Sequence, residues 1–106
     1  MKEAEQIDDA KFQSTVVKGK KLSVVIFWTL WDSASRVSMP TFEQAAGSNA
    51  DKLAFYKFLV GGGEATPGTL DVRAFPTVML FKDGQVIDFL RGAFTGSRLD
   101  KLIANA

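Results

Sequence analysis

The 106-residue chain contains no cysteine and no histidine. Without cysteine there is no disulfide, no thiolate nucleophile and no thiolate metal ligand. Without histidine, most zinc sites, Ser-His triads and imidazole acid–base chemistry are excluded as well. Carboxylates, hydroxyls, Lys, Arg and the single Tyr56 are the chemical groups that remain, and neither a metal nor a cofactor is expected. An excess of one charge is also missing. The 13 basic and 12 acidic residues leave a formal +1, too weak a field to gather nucleic acid or an anionic membrane surface. The Lys18, Lys20, Lys21 cluster accordingly reads as a solvated loop. No apolar run reaches the ~20 residues that cross a bilayer, and Met1 to Gln6 is too polar for a signal peptide. The expectation is a cytoplasmic protein with no nucleic-acid or membrane partner.

What is present is a large apolar fraction, 46%, with nine Phe and two Trp, enough for one compact domain over residues 1–106. The chain is organised around Leu22 to Pro40. Leu22 to Trp28 is apolar except at Ser23, and Val24, Val25 and Ile26 are β-branched, as suits a central strand covered on both faces. After Trp31 the short polar run Asp32-Ser33-Ala34-Ser35 can accept from the free N–H groups of a first helical turn. A helix is expected from about Ser33 to Ala46, burying Val37, Phe42 and Ala45 or Ala46, kinked at Pro40 and stopped near Gly47.

On either side of this unit the pattern alternates. Lys2 to Ile7 suits a short edge strand, followed by a helix capped by Asp8 or Asp9 with Ala10, Phe12, Val16 and Val17 as its apolar stripe. Leu53 to Val60 reads as a second buried strand. Gly61-Gly62-Gly63 breaks it and reads as a plain connector, since neither Lys-Ser/Thr nor a helix of useful length follows to make a phosphate loop. A short helix or turn over Pro67 to Asp71 comes next. Thr77 to Lys82 and Val86 to Arg91 flank Asp83-Gly84, a hairpin signal, and Ser97 is placed to cap a last helix carrying Leu99, Leu102 and Ile103. The order β-α-β-α-β-(short α)-β-β-α predicts an α/β fold: a mixed sheet with helices on both faces.

In this order the segments resemble the thioredoxin family, from about Phe12 to Ile103. The resemblance is carried by VVIFW with Trp31 three residues on, by Pro40, by KLAFYKF in the third strand, by Val72-Arg73-Ala74-Phe75-Pro76-Thr77, by LFKDG in the turn, and by Gly92-Ala93. It implies a thioredoxin fold, with three parallel strands plus an antiparallel C-terminal hairpin, and it matches Pro76 to the proline that follows a cis peptide bond beside the active site. The departures are at the site itself. In the family the Trp is followed by Cys-Gly-Pro-Cys; here Asp32 and Ser35 stand where the two sulfurs would be. The family's buried acid falls at Ile26, while its third-strand Lys is kept as Lys57. Thiol–disulfide exchange has no thiol to use, and three losses together suit a natural, redox-inactive relative better than a laboratory cysteine variant.

Lys57, facing Ile26, must then reach water or find a carboxylate. Asp32 is explained as a helix N-cap, and no base stands ready to activate Ser35. By resemblance, partner polypeptides lie against Trp31, Ala74, Phe75, Pro76, Gly92 and Ala93. The leading expectation is therefore a protein or peptide partner in the groove beside Pro76, joined by main-chain pairing with apolar anchorage from Trp31 and Phe75. The alternatives are an enzyme that uses Asp32 and Ser35 on a small molecule or a glutathione-type substrate, an engineered active-site variant, and a subunit valued for its shape. A monomer is expected, with a weak dimer as the other option.

Overall fold

The computed structural model describes residues 4–106. Five strands form one sheet in the order β1-β3-β2-β4-β5. They are β1 (Glu5–Ile7), β2 (Ser23–Trp28), β3 (Ala54–Leu59), β4 (Thr77–Lys82) and β5 (Gln85–Arg91). β2 is the middle strand, parallel to β3 and antiparallel to β4; β1 runs parallel to β3, and β5 antiparallel to β4. The expected mixed sheet is thus formed, and Met1, Lys2 and Glu3 of the expected first strand lie outside the described residues.

Alternation along β2 explains why nearly every position in it is apolar. Val24 and Ile26 point into a cluster with Phe42 and Ala46 of α2 (Ser33–Asn49) and Leu99, Leu102 and Ile103 of α4 (Gly96–Ala104). Val25 and Phe27 point the other way, toward Phe12, Val16, Phe58 and Phe81. Each of the four β2 side chains is fully buried, worth roughly 1.5–3 kcal/mol apiece in transfer terms. Aromatic rings join the layers, with Phe12 and Phe81 meeting edge to face at 5.3 Å and Phe42 and Phe55 at 5.6 Å.

Four local expectations are corrected. The first helix, α1 (Asp9–Lys11), is capped by Asp8, which accepts from the Lys11 N–H, and it continues as a π-helical stretch over Phe12–Val17. The wider turn, seen in the Lys18 N–H donating to the Gln13 carbonyl at 2.9 Å, lies where Phe12, Val16 and Val17 pack on the sheet, and Ala10, ahead of it in α1, is exposed. In α2 the buried positions are Ser35, Ser38, Phe42 and Ala46, a phase that turns Val37 outward to 75% exposure. α2 also runs through Gly47 to Asn49, where the Asn49 amide donates back to the Ala45 carbonyl. Finally, α4 is capped by Thr95, whose oxygen accepts from the Arg98 N–H at 3.2 Å, and Ser97 lies inside the helix.

The remaining elements sit where the pattern placed them. α3 (Thr66–Thr69) carries Pro67 near its start. The β4–β5 turn has positive φ at both Asp83 (54°) and Gly84 (80°), the geometry of a two-residue hairpin loop. A Cβ at Gly84 would also come within 2.9 Å of the Val17 carbonyl oxygen, so both backbone conformation and space require glycine there.

Candidate functional site

The residues that the resemblance assigns to a partner groove come together at one end of the sheet. β2 ends at Trp28 beside the start of β4, with Phe27 opposite Thr77, and Thr77 in turn lies opposite Arg91 at the end of β5. Chain leaving β2 (Thr29 to Asp32), chain entering β4 (Ala74 to Pro76) and chain leaving β5 (Gly92, Ala93) therefore gather at the same edge. The last two are joined directly: the Gly92 N–H donates to the Pro76 carbonyl at 2.8 Å, with Gly92 at φ 80°. The Thr77 hydroxyl donates to the Ala74 carbonyl at 2.6 Å. The Phe75–Pro76 peptide is cis. Pro76 itself is buried, Ala74 and Phe75 are half-buried, and Ala93 is exposed. No hydrogen bond from another described residue engages the Phe75 main chain.

Asp32 and Ser35 form a closed unit. The Asp32 carboxylate caps α2, accepting from both the Ser35 N–H and the Ser35 hydroxyl at 3.0 Å. The Ser35 oxygen accepts in turn from the Thr29 N–H at 3.3 Å. Ser35 is 0% exposed, which leaves its oxygen no approach path for a substrate. The chain continues outward at Leu30 and Trp31, 57% and 69% exposed. Beneath them, the Trp28 indole N–H and the Thr29 hydroxyl find no hydrogen-bond partner among the described residues.

One residue that the sequence reading missed governs the layer below. Ile26 is fully buried and sits opposite Lys57 in the β2–β3 register. The Lys57 ammonium donates to the Glu43 carboxylate of α2 at 2.7 Å, both side chains being 22% exposed. The other Glu43 oxygen accepts from the Ala4 N–H at 2.7 Å. The cation is thus paired from the covering helix instead of from the neighbouring strand. A lone Lys in an apolar strand signals that some carboxylate is needed, but nothing local indicates that it comes from fourteen residues earlier.

The glycine loop is closed by its own side chain. The Glu64 carboxylate accepts from the Gly61 and Gly62 N–H groups at 3.0 Å, and its hydrogen bonds to its own N–H and to those of Gly61 and Gly62 hold it below the ordinary value of 4.5. Among the described residues, no group of three acidic side chains is placed to hold a metal ion, and no helix is long and apolar enough to cross a membrane.

Comparison with known proteins agrees with this architecture. The sequence profile of the family described as Thioredoxin matches residues 3–105. The chain is 35% identical to the thioredoxin of Rhodospirillum rubrum over 94 residues, 89% of this chain and 90% of that one. It is 33% identical to the thioredoxin of Haemophilus influenzae over 103 residues, 97% and 96% of the two chains. Among solved structures, the thioredoxin of Malassezia sympodialis (Mala s 13) superposes with a TM-score of 0.86 at 30% identity, covering 98% of this chain and 91% of that one. With this strand order and C-terminal hairpin in place, the chain belongs to the thioredoxin family.

Proposed function

We propose that the protein is a redox-inactive polypeptide-binding module whose groove runs past Trp31 and the main chain of Phe75. The observation that carries this reading is the combination of a 69% exposed Trp31 with the unengaged main chain of Phe75 at the same end of the sheet. An extended segment can pair with that main chain while an apolar side chain rests on the indole, the arrangement of β-strand addition with an aromatic anchor. The absence of cysteine removes the dithiol step and leaves binding. The reading in which Asp32 and Ser35 act on a small molecule is disfavoured by the burial of Ser35 and by the carboxylate's use as a cap. Selection from a displayed library of random peptides, followed by NMR mapping of the best binder, tests the proposal. Shifts at Trp31, Phe75 and Gly92 are expected. A binder that leaves those amides unmoved, or glutathione conjugation above the uncatalysed rate, would reject it.

A further inference from the structure

The two faces of the sheet are covered unequally. α2 and α4 close one face, but on the other α1 with its π-helical continuation and α3 stop short of β5. A cavity of about 450 Å³ opens there, between those helices and the β4–β5 hairpin. Phe12 and Phe81 lie beneath it, almost wholly covered at 2% and 1% exposure, and the walls that offer apolar surface include Val17, Leu70 and Val86. A volume within roughly 300–1,000 Å³ with an apolar lining and few polar groups suits a small molecule. Asp9 is the one charged side chain that lines it, and it is held in place. Oδ1 accepts from the Thr66 N–H at 2.9 Å and the Thr66 hydroxyl at 2.6 Å, whereas Oδ2 accepts only from the Ala65 N–H at 2.9 Å. A carboxylate offers about four acceptor sites, so Oδ2 keeps one free. The Thr66 and Ala65 hydrogen bonds also hold the Asp9 carboxyl below its ordinary 3.8, so the charge is present throughout the neutral range. Apolar walls with a single fixed anion at their edge are complementary to a compact apolar body bearing one cationic donor.

We propose that this cavity binds small aromatic amines, with the ring against Val17, Leu70 and Val86 and the ammonium donating to Asp9 Oδ2. The site is separate from the groove at the end of the sheet and does not depend on it. Three probes share one bicyclic body and differ in head-group charge: 1-naphthylmethylamine, 1-naphthylmethanol and 1-naphthoic acid. In amide NMR titrations of the whole chain, the amine should shift Thr66, Leu70 and Gly84. It should bind about fivefold more tightly than the alcohol, the size of a single partly exposed charge pair, and the acid should bind more weakly still. Asp9→Asn should reduce the amine to the affinity of the alcohol. Val86→Arg, on the exposed outer strand, should weaken the amine and the alcohol. No binding at millimolar probe, shifts confined to Leu30–Ser35 and Gly92–Ala93, or equal affinity for amine and acid would each overturn the proposal. If Asp9→Asn loses its hold on α3 and unfolds, Val86→Arg decides: undiminished amine binding in that variant rejects the site.

Discussion

The layer at Ile26, Lys57 and Glu43 and the loop from Leu30 to Ser35 lie one above the other, and they differ in what was kept. Below, Ile26 is apolar and fully buried, and the cation opposite it, Lys57, is paired from another element, by Glu43 at 2.7 Å. Above, Asp32 and Ser35 satisfy each other and the helix start, yet Trp31 stays open to solvent. The lower layer is self-contained and the upper surface is not. A charge in a core needs a partner, because an unpaired one costs several kcal/mol, and Glu43 supplies it to Lys57. An exposed indole carries no such requirement, so Trp31 is the part of this end left open to contact.

The largest effect should come from placing an acid in the lower layer. Ile26→Asp places a carboxylate at a fully buried position whose neighbouring cation is already engaged, and should cost ~3 kcal/mol or more, read as a fall in urea midpoint. The register puts Lys57 opposite Ile26, so the cost should be smaller when Lys57 is released by Glu43→Gln. Equal cost in both backgrounds would show that Lys57 cannot turn to strand β2. Glu43→Gln alone should cost about 1–2 kcal/mol, since it leaves Lys57 opposite a neutral acceptor in a partly buried setting. Removing the cation too, in Glu43→Gln/Lys57→Met, should recover part of that loss, and the coupling in the double-mutant cycle measures the pair.

At the loop, Asp32→Ala removes the cap of α2 and the partner of the Ser35 hydroxyl together. A loss of ~1 kcal/mol is expected, with Asp32→Asn close to wild type because its amide oxygen still accepts from the Ser35 N–H. A loss several times larger would mean that the upper unit supports the core, erasing the contrast between the layers. Two carboxylates outside both layers, Asp9 and Glu64, contribute to the acid dependence of the fold. Hydrogen bonds from Thr66 and Ala65 lower the first, and those from its own N–H and from Gly61 and Gly62 lower the second. A group whose folded value is depressed adds stability above its unfolded value and loses it as pH falls through the folded one. Urea midpoints should therefore be flat at neutral pH and fall below about pH 4, where these carboxyls take up protons, and Asp9→Asn should reduce that slope.

These layers also separate what the sequence could reveal from what it could not. The strand alternation of Val24 to Phe27, the Asp83-Gly84 turn and the Asp32 cap are local patterns with one physical solution each, and each was legible. Val37 was misplaced because a helix phase depends on which of several weak apolar positions the sheet accepts; here Ser35 and Ser38 face inward and displace it. The π-helical widening after Lys11 has no signature in residue type, and Ala10, two residues before Phe12 and so on the other side of the helix, faces outward. Thr95 prevailed over Ser97 because Thr95 has the extended backbone of a cap (φ −93°, ψ 162°), which composition alone does not show. Glu43 was hidden for a different reason: a charge pair across elements is a tertiary fact. The groove residues were named from family resemblance, and the structure brings their segments to one edge, but what they bind is written in no motif.

The smallest effect on stability should come from the residue on which the binding reading rests. Trp31→Ala removes a large side chain that is 69% exposed, so little buried area is lost and the urea midpoint should correspond to a change within about 0.5 kcal/mol. Affinity for a selected peptide should nevertheless fall by about tenfold or more, because a central aromatic anchor commonly carries over 1 kcal/mol of binding energy. The two measurements have to be taken on the same variant, since only their separation distinguishes an interface from a scaffold. If stability falls with affinity, Trp31 supports the loop and its exposure is incidental. If neither moves, the peptide sits elsewhere, and the open upper surface is inherited shape. A stable variant that has lost its partner is the result that ties the exposed indole to recognition.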